Sequence, residues 1–123
     1  MNNVSGKRVY LSGPMTNHTA YNVAEFAAAN VRLREMGAAE VFDPAFEWYK
    51  WLNCGYETKT HEQCMLLTLH ELTRICYDKP YYDMVVQLGG WAGSEGAWME
   101  YEVARSCGIP CVEAKDLFGG EDA

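Results

Sequence analysis

The sequence predicts a doubly wound α/β fold of the flavodoxin or Rossmann-like type, with a mostly parallel sheet of four to five strands and helices on both faces. Short β-rich segments alternate along the chain with longer segments of helical periodicity. One of the β-rich segments, Asp83–Leu88 (DMVVQL), is a continuous apolar run, typical of a strand covered on both faces. The length of 123 residues predicts one domain with its own core, spanning residues 1–123.

Four strands are expected. Arg8–Ser12 (RVYLS) is rich in β-forming residues and runs into a Gly-Pro turn. Ala39–Asp43 (AEVFD) is a second short strand, which ends because Pro44 follows it. Asp83–Leu88 is the third strand, and Ile109–Glu113 (IPCVE) is the last.

Three helices are expected between these strands, over Tyr21–Met36, Glu62–Ile75 and Glu95–Cys107. Gly37 stands where the first helix needs a C-terminal cap. The apolar face of the first helix is expected to comprise Val23, Phe26, Ala27, Asn30 and Leu33. In the second helix, the aligned residues are Met65, Leu69, Leu72 and Cys76.

Two segments show no clear periodicity. Phe46–Thr60 is aromatic and irregular, which predicts a loop with a helical turn. Lys115–Ala123 is expected to be a short acidic tail that is frayed. Tyr77–Tyr82 is an inserted segment before the third strand.

Charge and hydropathy exclude several classes of protein. The net charge is −7 and the basic residues are scattered, which argues against binding of nucleic acid. No apolar run approaches the ~20 residues of a membrane-spanning helix. Met1–Lys7 does not resemble a signal peptide. A small anionic ligand remains compatible, because helix N-termini and backbone amides hold phosphate without lysine.

The cysteines indicate a reducing compartment. Their number is odd, and none forms a CxxC pair: Cys54, Cys64, Cys76, Cys107 and Cys111. We expect reduced, mostly buried thiols in a cytoplasmic protein. The histidines His18, His61 and His70 are not spaced with cysteines as zinc ligands are, so no metal site is predicted. No cofactor is predicted either.

A ligand site is expected where the parallel strands end, because ligands of such sheets bind at the carboxyl edge. The segments that leave this edge are Ser12–Asn17, Asp43–Pro44 and Gly89–Gly96.

Glu100 is the first candidate for chemistry at this edge. Rotation by about 100° per residue places it on the apolar face of its helix, together with Met99, Tyr101, Val103, Ala104 and Cys107. A carboxylate directed to the core needs compensation, and the helix N-terminus favours an anion. Such a group can act as nucleophile or general base. The alternative is a structural glutamate paired with an arginine or a backbone amide.

The glycine loop before this helix supplies further candidates. Gly90 and Gly96 carry no side chain that would block a ligand. Ser94 is either the N-cap of the helix or a phosphate ligand. Trp91 is either a lid packed on the core or a surface on which a base stacks.

The loop after the first strand faces the same edge. Ser12 and the amide of Met15 are candidates for ligand contact. Gly13 allows the backbone to approach closely, and Pro14 restricts the turn. Asp43, at the end of the second strand, either faces the ligand or begins an Asp-Pro turn.

Together these segments resemble the nucleoside 2-deoxyribosyltransferase superfamily from Val9 to Val112. The matching stretches read VYLSGPMT, REMGAAEVFDPA and YDMVVQLGGWAGSEGAWMEYEVARSCGIPCVE. The last stretch is the most specific, since it contains S-x-G-A-x-x-E followed by A-R-x-x-G-I-P. The chain looks closest to a compact branch frequent in bacterial viruses, and is similar to 2′-deoxynucleoside 5′-phosphate N-hydrolases.

The resemblance implies cleavage of the N-glycosidic bond of a nucleoside or nucleoside 5′-monophosphate, by a hydrolase or a deoxyribosyltransferase. It implies a homodimer or larger homo-oligomer. By position, Glu100 is the nucleophile after the helix-opening Gly96, and Tyr10 lies near it. Ser94 matches a serine that binds the 5′-phosphate, and Ser12–Met15 would line the sugar and the base.

One position departs from the pattern. The aspartate that protonates the leaving base falls on Thr68, and His70 or Glu71 could replace it. Loss of this acid leaves a second hypothesis, a non-catalytic protein that binds or sequesters nucleotides on the same fold. A third is a small interaction module in which Glu100 is structural.

Overall fold

The central sheet has four strands, and every neighbouring pair in it is parallel. The computed structural model describes residues 3–15, 19–55, 57 and 59–119. The strands are β1 (Arg8–Ser12), β2 (Glu40–Phe42), β3 (Ile75–Cys76), β4 (Lys79–Pro80), β5 (Met84–Gln87) and β6 (Cys111–Glu113). The sheet order is β2-β1-β5-β6, while β3 and β4 form a separate antiparallel pair. This order is that of a doubly wound fold, so the predicted fold class is confirmed.

Helices cover both faces of the sheet. They are α1 (Val23–Glu35), α2 (Pro44–Asn53), α3 (His61–Leu72), α4 (Glu95–Ser106) and α5 (Ala114–Leu117). The first core cluster joins the sheet to α1, α2 and α5, and the second joins it to α3 and α4. None of the helices in the described part of the chain combines the length and the hydropathy needed to cross a membrane.

The pleat of β1 and β5 decides which side chains reach the functional edge. Val9 and Leu11 point to the face covered by α1, whereas Tyr10 belongs to the face covered by α3 and α4. Because side chains alternate, Ser12 shares the face of Tyr10. Ser12 pairs with Gln87 in the β1–β5 register, so these two polar residues stand side by side at the carboxyl edge.

The predicted loop at Phe46–Thr60 is wrong in its first half, which continues helix α2 as far as Asn53. The Asp43-Pro44 pair starts this helix instead of a turn. Asp43 is the N-cap and accepts a hydrogen bond from the amide of Phe46 at 3.1 Å, and Pro44 occupies the first turn. Proline is favoured there because its fixed φ suits a helix and its missing N–H would have had no partner.

The predicted frayed tail is also partly wrong. Helix α5 includes Lys115, and Phe118 behind it is buried in the first core cluster. The guanidinium of Arg32 lies over the Phe118 ring, 4.9 Å from its centroid. Residues 120–123 of the tail lie outside the described residues, as do residues 16–18, which include part of the predicted Ser12–Asn17 segment.

Several predicted helix faces need correction. In α1, Ala29 is buried and Ala27 is exposed. Helix α3 ends at Leu72, so Cys76 belongs to the β3–β4 hairpin that the inserted segment forms. In α4 the flank carrying Met99 is exposed, because α3 covers only one side of the helix.

The cysteines are less buried than predicted. All five are free: Cys54, Cys64, Cys76, Cys107 and Cys111. Cys64 is buried, whereas Cys54 and Cys107 are exposed. Both exposed cysteines are C-cap residues just past the end of a helix, and for Cys107 the helical projection of α4 therefore no longer describes the side chain.

Candidate functional site

A buried carboxylate at the N-terminal half of α4 is the centre of the candidate site. Glu100 is only 3% exposed. Tyr10 donates its hydroxyl to Oε2 at 2.6 Å, and Ser12 donates its hydroxyl to Oε1 at 2.6 Å. The structure therefore brings together three residues that the sequence singled out, from opposite ends of the chain.

Two glycines allow this close packing. A Cβ at Gly96 would lie 3.1 Å from the sulfur of Met65, so a side chain there would require the Met65 side chain to shift by a few tenths of an ångström. A Cβ at Gly13 would lie 2.9 Å from the Cβ of Leu88, a separation shorter than Cβ atoms show in real proteins. Gly13 therefore allows the loop after β1 to pack closely against Leu88 at the end of β5.

The environment of Glu100 raises its pKa. Burial is the main cause, because desolvation disfavours the charged form. Hydrogen bonds from Ser12, Tyr10 and Thr68 oppose the shift. The pKa of Tyr10 is raised well above its ordinary value by burial and by the charge of Glu100, so Tyr10 remains a protonated donor.

The Tyr10 hydroxyl has a second possible acceptor. Its oxygen lies 3.2 Å from the backbone carbonyl oxygen of Thr68. A tyrosine has one hydroxyl proton, so the shorter contact to ionised Glu100 takes it. When the Glu100 carboxyl loses its charge, Tyr10 can donate to Thr68 instead. The pair of acceptors suits both charge states of the carboxyl group.

A cleft opens beside this carboxylate. The Glu100 cleft, as we call it, is narrow, with a cavity volume of about 20 Å³, and is lined by Gly13, Met15, His61, Cys64, Met65, Thr68, Ser94, Gly96, Ala97 and Glu100. It lies where β1 and β5 end, which is the switch point of the strand order and the usual ligand position in such folds. Gly13, Met15, Ser94 and Gly96 were predicted here.

Three lining residues were missed by the sequence analysis. His61, Cys64 and Met65 come from the first turns of α3, which packs beside α4. The spacing of His61, Cys64 and Thr68 in the sequence already indicates that they share one helix face. Only the packing of α3 against α4 shows that this face lines the cleft.

Ser94 caps α4, because its hydroxyl oxygen accepts the amide of Ala97 at 3.3 Å. Accepting this bond leaves the hydroxyl proton of Ser94 available to a ligand. The structural and the functional interpretation of Ser94 are therefore compatible. His61 lies opposite, with Nε2 3.2 Å from a carboxylate oxygen of Glu95.

The three positions considered for a leaving-group acid are separated by the structure. Thr68 lines the Glu100 cleft but carries no ionisable group. His70 is exposed. Glu71 accepts hydrogen bonds from Tyr82 and Arg74 on the other side of α3 and does not line the cleft.

Asp43 has a structural role at a neighbouring position. Besides capping α2, its carboxylate accepts a hydrogen bond from the Asn30 amide at 3.3 Å. Burial raises the pKa of Asp43, and the bonds from Phe46 and Asn30 oppose the shift. Asp43 does not line the Glu100 cleft.

Gly90 and Trp91 lie in a second depression at the same edge. We call it the Gln87 groove, because it is lined by Gln87, Gly89–Gly93, Glu113 and Lys115. The Trp91 ring is half-buried and stacks on the Trp98 ring at 5.6 Å with an interplanar angle of 8°. Pro14 packs close to the loop, since a Cβ at Gly90 would lie 3.6 Å from its Cγ.

The described residues include no group of three or more His, Cys, Asp or Glu side chains arranged to hold a metal ion.

The chain matches the family described as "Domain of unknown function (DUF4406)" over residues 7–113. This match runs from the residue before β1 to the last residue of β6 and includes both depressions except for Lys115. The protein therefore belongs to the DUF4406 family. No curated protein and no solved structure matches the chain.

Proposed function

We propose that this member of the DUF4406 family cleaves the N-glycosidic bond of a nucleoside 5′-monophosphate or nucleoside, with Glu100 as the nucleophile. The observation that carries the proposal is the Glu100 carboxylate itself, buried and held by Tyr10 and Ser12 at 2.6 Å in the wall of a cleft. Buried carboxylates with raised pKa in a cleft are typical of catalytic sites. The resemblance to nucleoside 2-deoxyribosyltransferases supplies the reaction.

The proposed reaction has two steps. In the first, an oxygen of Glu100 bonds to the anomeric carbon, while the bond from that carbon to the base nitrogen breaks and the base leaves with a proton. The result is a glycosyl ester on Glu100. In the second step, water or another base attacks the same carbon, passes a proton to the group that protonated the leaving base, and frees the carboxylate. Water makes the enzyme a hydrolase, and a second base makes it a transferase.

Tyr10 and Ser12 would orient the nucleophile and keep it ionised. Each carboxylate oxygen retains a free lone pair after accepting one hydrogen bond, so attack remains possible. When the ester forms, the negative charge on Glu100 disappears. Tyr10 can then donate to the Thr68 carbonyl, 3.2 Å from its hydroxyl oxygen, so the donor keeps a partner throughout.

His61 is our candidate for the acid that protonates the leaving base. It lines the Glu100 cleft, whereas His70 and Glu71 do not. Imidazolium is a suitable proton donor near neutral pH. The carboxylate of Glu95, 3.2 Å from Nε2 of His61, would orient the ring.

A 5′-phosphate would bind at Ser94. The hydroxyl proton of Ser94 is free because the oxygen accepts the cap bond from Ala97. The N-terminus of α4 adds its dipole and amides, which favour an anion. For this reason we expect a nucleoside 5′-monophosphate to be a better substrate than the nucleoside.

The proposal includes the homo-oligomer and the cytoplasmic location that the sequence led us to expect. Adjacent helices α3 and α4 expose the large apolar side chains Leu66, Leu67, Trp98 and Met99. Such a patch is typical of a protein interface. The five free cysteines fit a reducing compartment. Light scattering tests the homo-oligomer. We expect a dimer or larger species for the wild type and a monomer for Leu66→Glu, and a monomeric wild type would contradict the proposed homo-oligomer.

A non-catalytic nucleotide-binding protein is the second candidate. The observation that favours it is Thr68, which lines the cleft and carries no ionisable acid at the place where the resembling enzymes have an aspartate. In this case the pocket would bind nucleotide without releasing base. Nucleotide binding that survives Glu100→Ala would support this candidate.

The test is release of free base, measured by chromatography, from a panel of nucleosides and their 5′-monophosphates. We expect the wild type to release base from at least one 5′-monophosphate, and Glu100→Ala to release none. No release from any member, together with a nucleotide-dependent thermal shift, would favour the binding protein. No release and no shift would contradict both candidates.

A further inference from the structure

The Gln87 groove contains a buried hydrogen-bond donor that the fold leaves without a partner. Gln87 is only 4% exposed, and its side-chain Nε2 has no hydrogen-bond partner among the described residues. Buried polar groups are almost always paired, because an unpaired one loses its hydrogen bonds to water and gains none in the protein. Gln87 lines a groove with a cavity volume of about 370 Å³, in which a ligand can lie against this side chain.

An acceptor stands next to this donor. Gln87 pairs with Glu113 in the β5–β6 register, and neighbouring strands lie about 4.8 Å apart. Both residues line the groove. One oxygen of Glu113 is 3.4 Å from the ammonium of Lys115, and a carboxylate keeps further acceptor sites after one such contact. The ion pair balances the charge at this end of the groove.

An aromatic wall and an open loop complete the groove. Trp91 lines it and is held in place by two other rings, Trp98 at 5.6 Å and Tyr101 at 5.1 Å. The loop Gly89–Gly93 contains three glycines, so it leaves room beside the wall. A rigid aromatic surface next to unobstructed backbone suits a flat ligand.

We propose that the Gln87 groove is a binding site for a planar heterocycle with a hydrogen-bond acceptor beside an N–H donor, the pattern of the amino-bearing nucleobases adenine and cytosine. The ring nitrogen accepts from Nε2 of Gln87, and the exocyclic amine donates to the Glu113 carboxylate. The ring lies against Trp91. The site shares no lining residue with the Glu100 cleft and does not depend on catalysis there.

The probes are adenine and purine, which differ only in the exocyclic amine. Titrations of the ¹⁵N-labelled protein follow the side-chain amide signals of Gln87, identified by their absence in Gln87→Leu. We expect saturable shifts of these signals with adenine, and affinity for purine at least about tenfold weaker, since one hydrogen bond to a charged acceptor is lost. This comparison uses only the wild-type protein. Equal affinity for the two probes, or no saturation with adenine, overturns the proposal.

Two variants separate this site from the Glu100 cleft. Gln87→Leu removes the donor at similar volume and is expected to weaken adenine binding at least about tenfold. Glu100→Gln is expected to leave adenine binding unchanged. Undiminished adenine binding by Gln87→Leu, or loss of adenine binding in Glu100→Gln, overturns the proposal. Base release by the wild type is a separate measurement, so either proposal can fail without the other.

Discussion

The Glu100 cleft and the Gln87 groove lie at the same edge of one sheet and differ in how their buried polar groups are satisfied. In the cleft, both oxygens of Glu100 accept hydrogen bonds from neighbouring side chains. In the groove, Nε2 of Gln87 has no partner among the described residues. The cleft is thus a site whose reactive group the protein itself holds in place. In the groove, by our proposal, a ligand completes the hydrogen bonding.

Replacement of the proposed nucleophile should have the largest effect. Glu100→Gln keeps the shape and the hydrogen-bonding capacity of the side chain but cannot form the glycosyl ester. We expect base release to fall on the order of 10³-fold or more, measured as kcat/KM by chromatography. Glu102→Gln is the matched control, since Glu102 lies two residues away and pairs with Arg105 at 3.5 Å. Equal loss in both variants would contradict a specific role of Glu100.

Replacement of the proposed acid should have a smaller effect. His61→Gln is expected to lower base release about 10²-fold, a usual contribution of general acid catalysis. A substrate with an N7-methylated purine should be nearly unaffected, because its base leaves without being protonated. His70→Gln, on the exposed face of the same helix, serves as the control. If His61→Gln impairs the methylated and ordinary substrates equally, His61 is not the acid.

The raised pKa of Glu100 predicts opposite pH trends for stability and activity. The folded protein holds this proton more tightly than the unfolded chain, so the stabilising effect is complete below the unfolded pKa of ~4.3 and is lost as the pH rises through the folded pKa. Base release should increase over the same interval, because the nucleophile must be ionised.

Glu100→Gln isolates the stability trend. Relative to the wild type, its free energy of unfolding should increase as the pH rises from about 4 to 7, by about 1.4 kcal/mol for each unit of pKa elevation. Denaturant unfolding at several pH values measures this difference. A difference that is constant with pH would show that Glu100 has an ordinary pKa in the folded protein.

The smallest effect should come from Gln87 and sharpens the contrast between the two sites. Gln87→Leu removes a donor without a partner, so unfolding free energy should stay the same or rise by up to about 1 kcal/mol. Ser12→Ala removes a partner of the buried carboxylate and should cost about 1–3 kcal/mol. Thermal and denaturant unfolding measure both. A loss in Gln87→Leu as large as in Ser12→Ala would mean that the Gln87 amide is satisfied.

The sequence predicted the fold class and the central carboxylate because both depend on local periodicity. Alternation along β1 places Tyr10 and Ser12 on one face, and helical projection directs Glu100 to the core. The start of α2 was missed because Asp43 and Pro44 are favoured both in turns and at helix N-termini. Local signals could not decide between these two structures.

Other features depend on which elements become neighbours. His61 enters the Glu100 cleft only because α3 packs against α4, a contact between elements that helix periodicity does not determine. Gln87 lies near the end of a segment that was interpreted as continuously apolar, so its polar side chain was not predicted to bind a ligand. Glu113 lies beside Gln87 because the two residues pair in the β5–β6 register, and this register depends on tertiary structure.

The most direct test of the central claim is mass spectrometry of the intact protein after an acid quench, during turnover of a nucleoside 5′-monophosphate that releases base. We expect a fraction of the protein to gain the mass of the sugar phosphate group, with the adduct located on Glu100 by peptide fragmentation and absent in Glu100→Gln. An adduct on another residue, or base release by Glu100→Gln at the wild-type rate, would contradict the claim that Glu100 is the nucleophile.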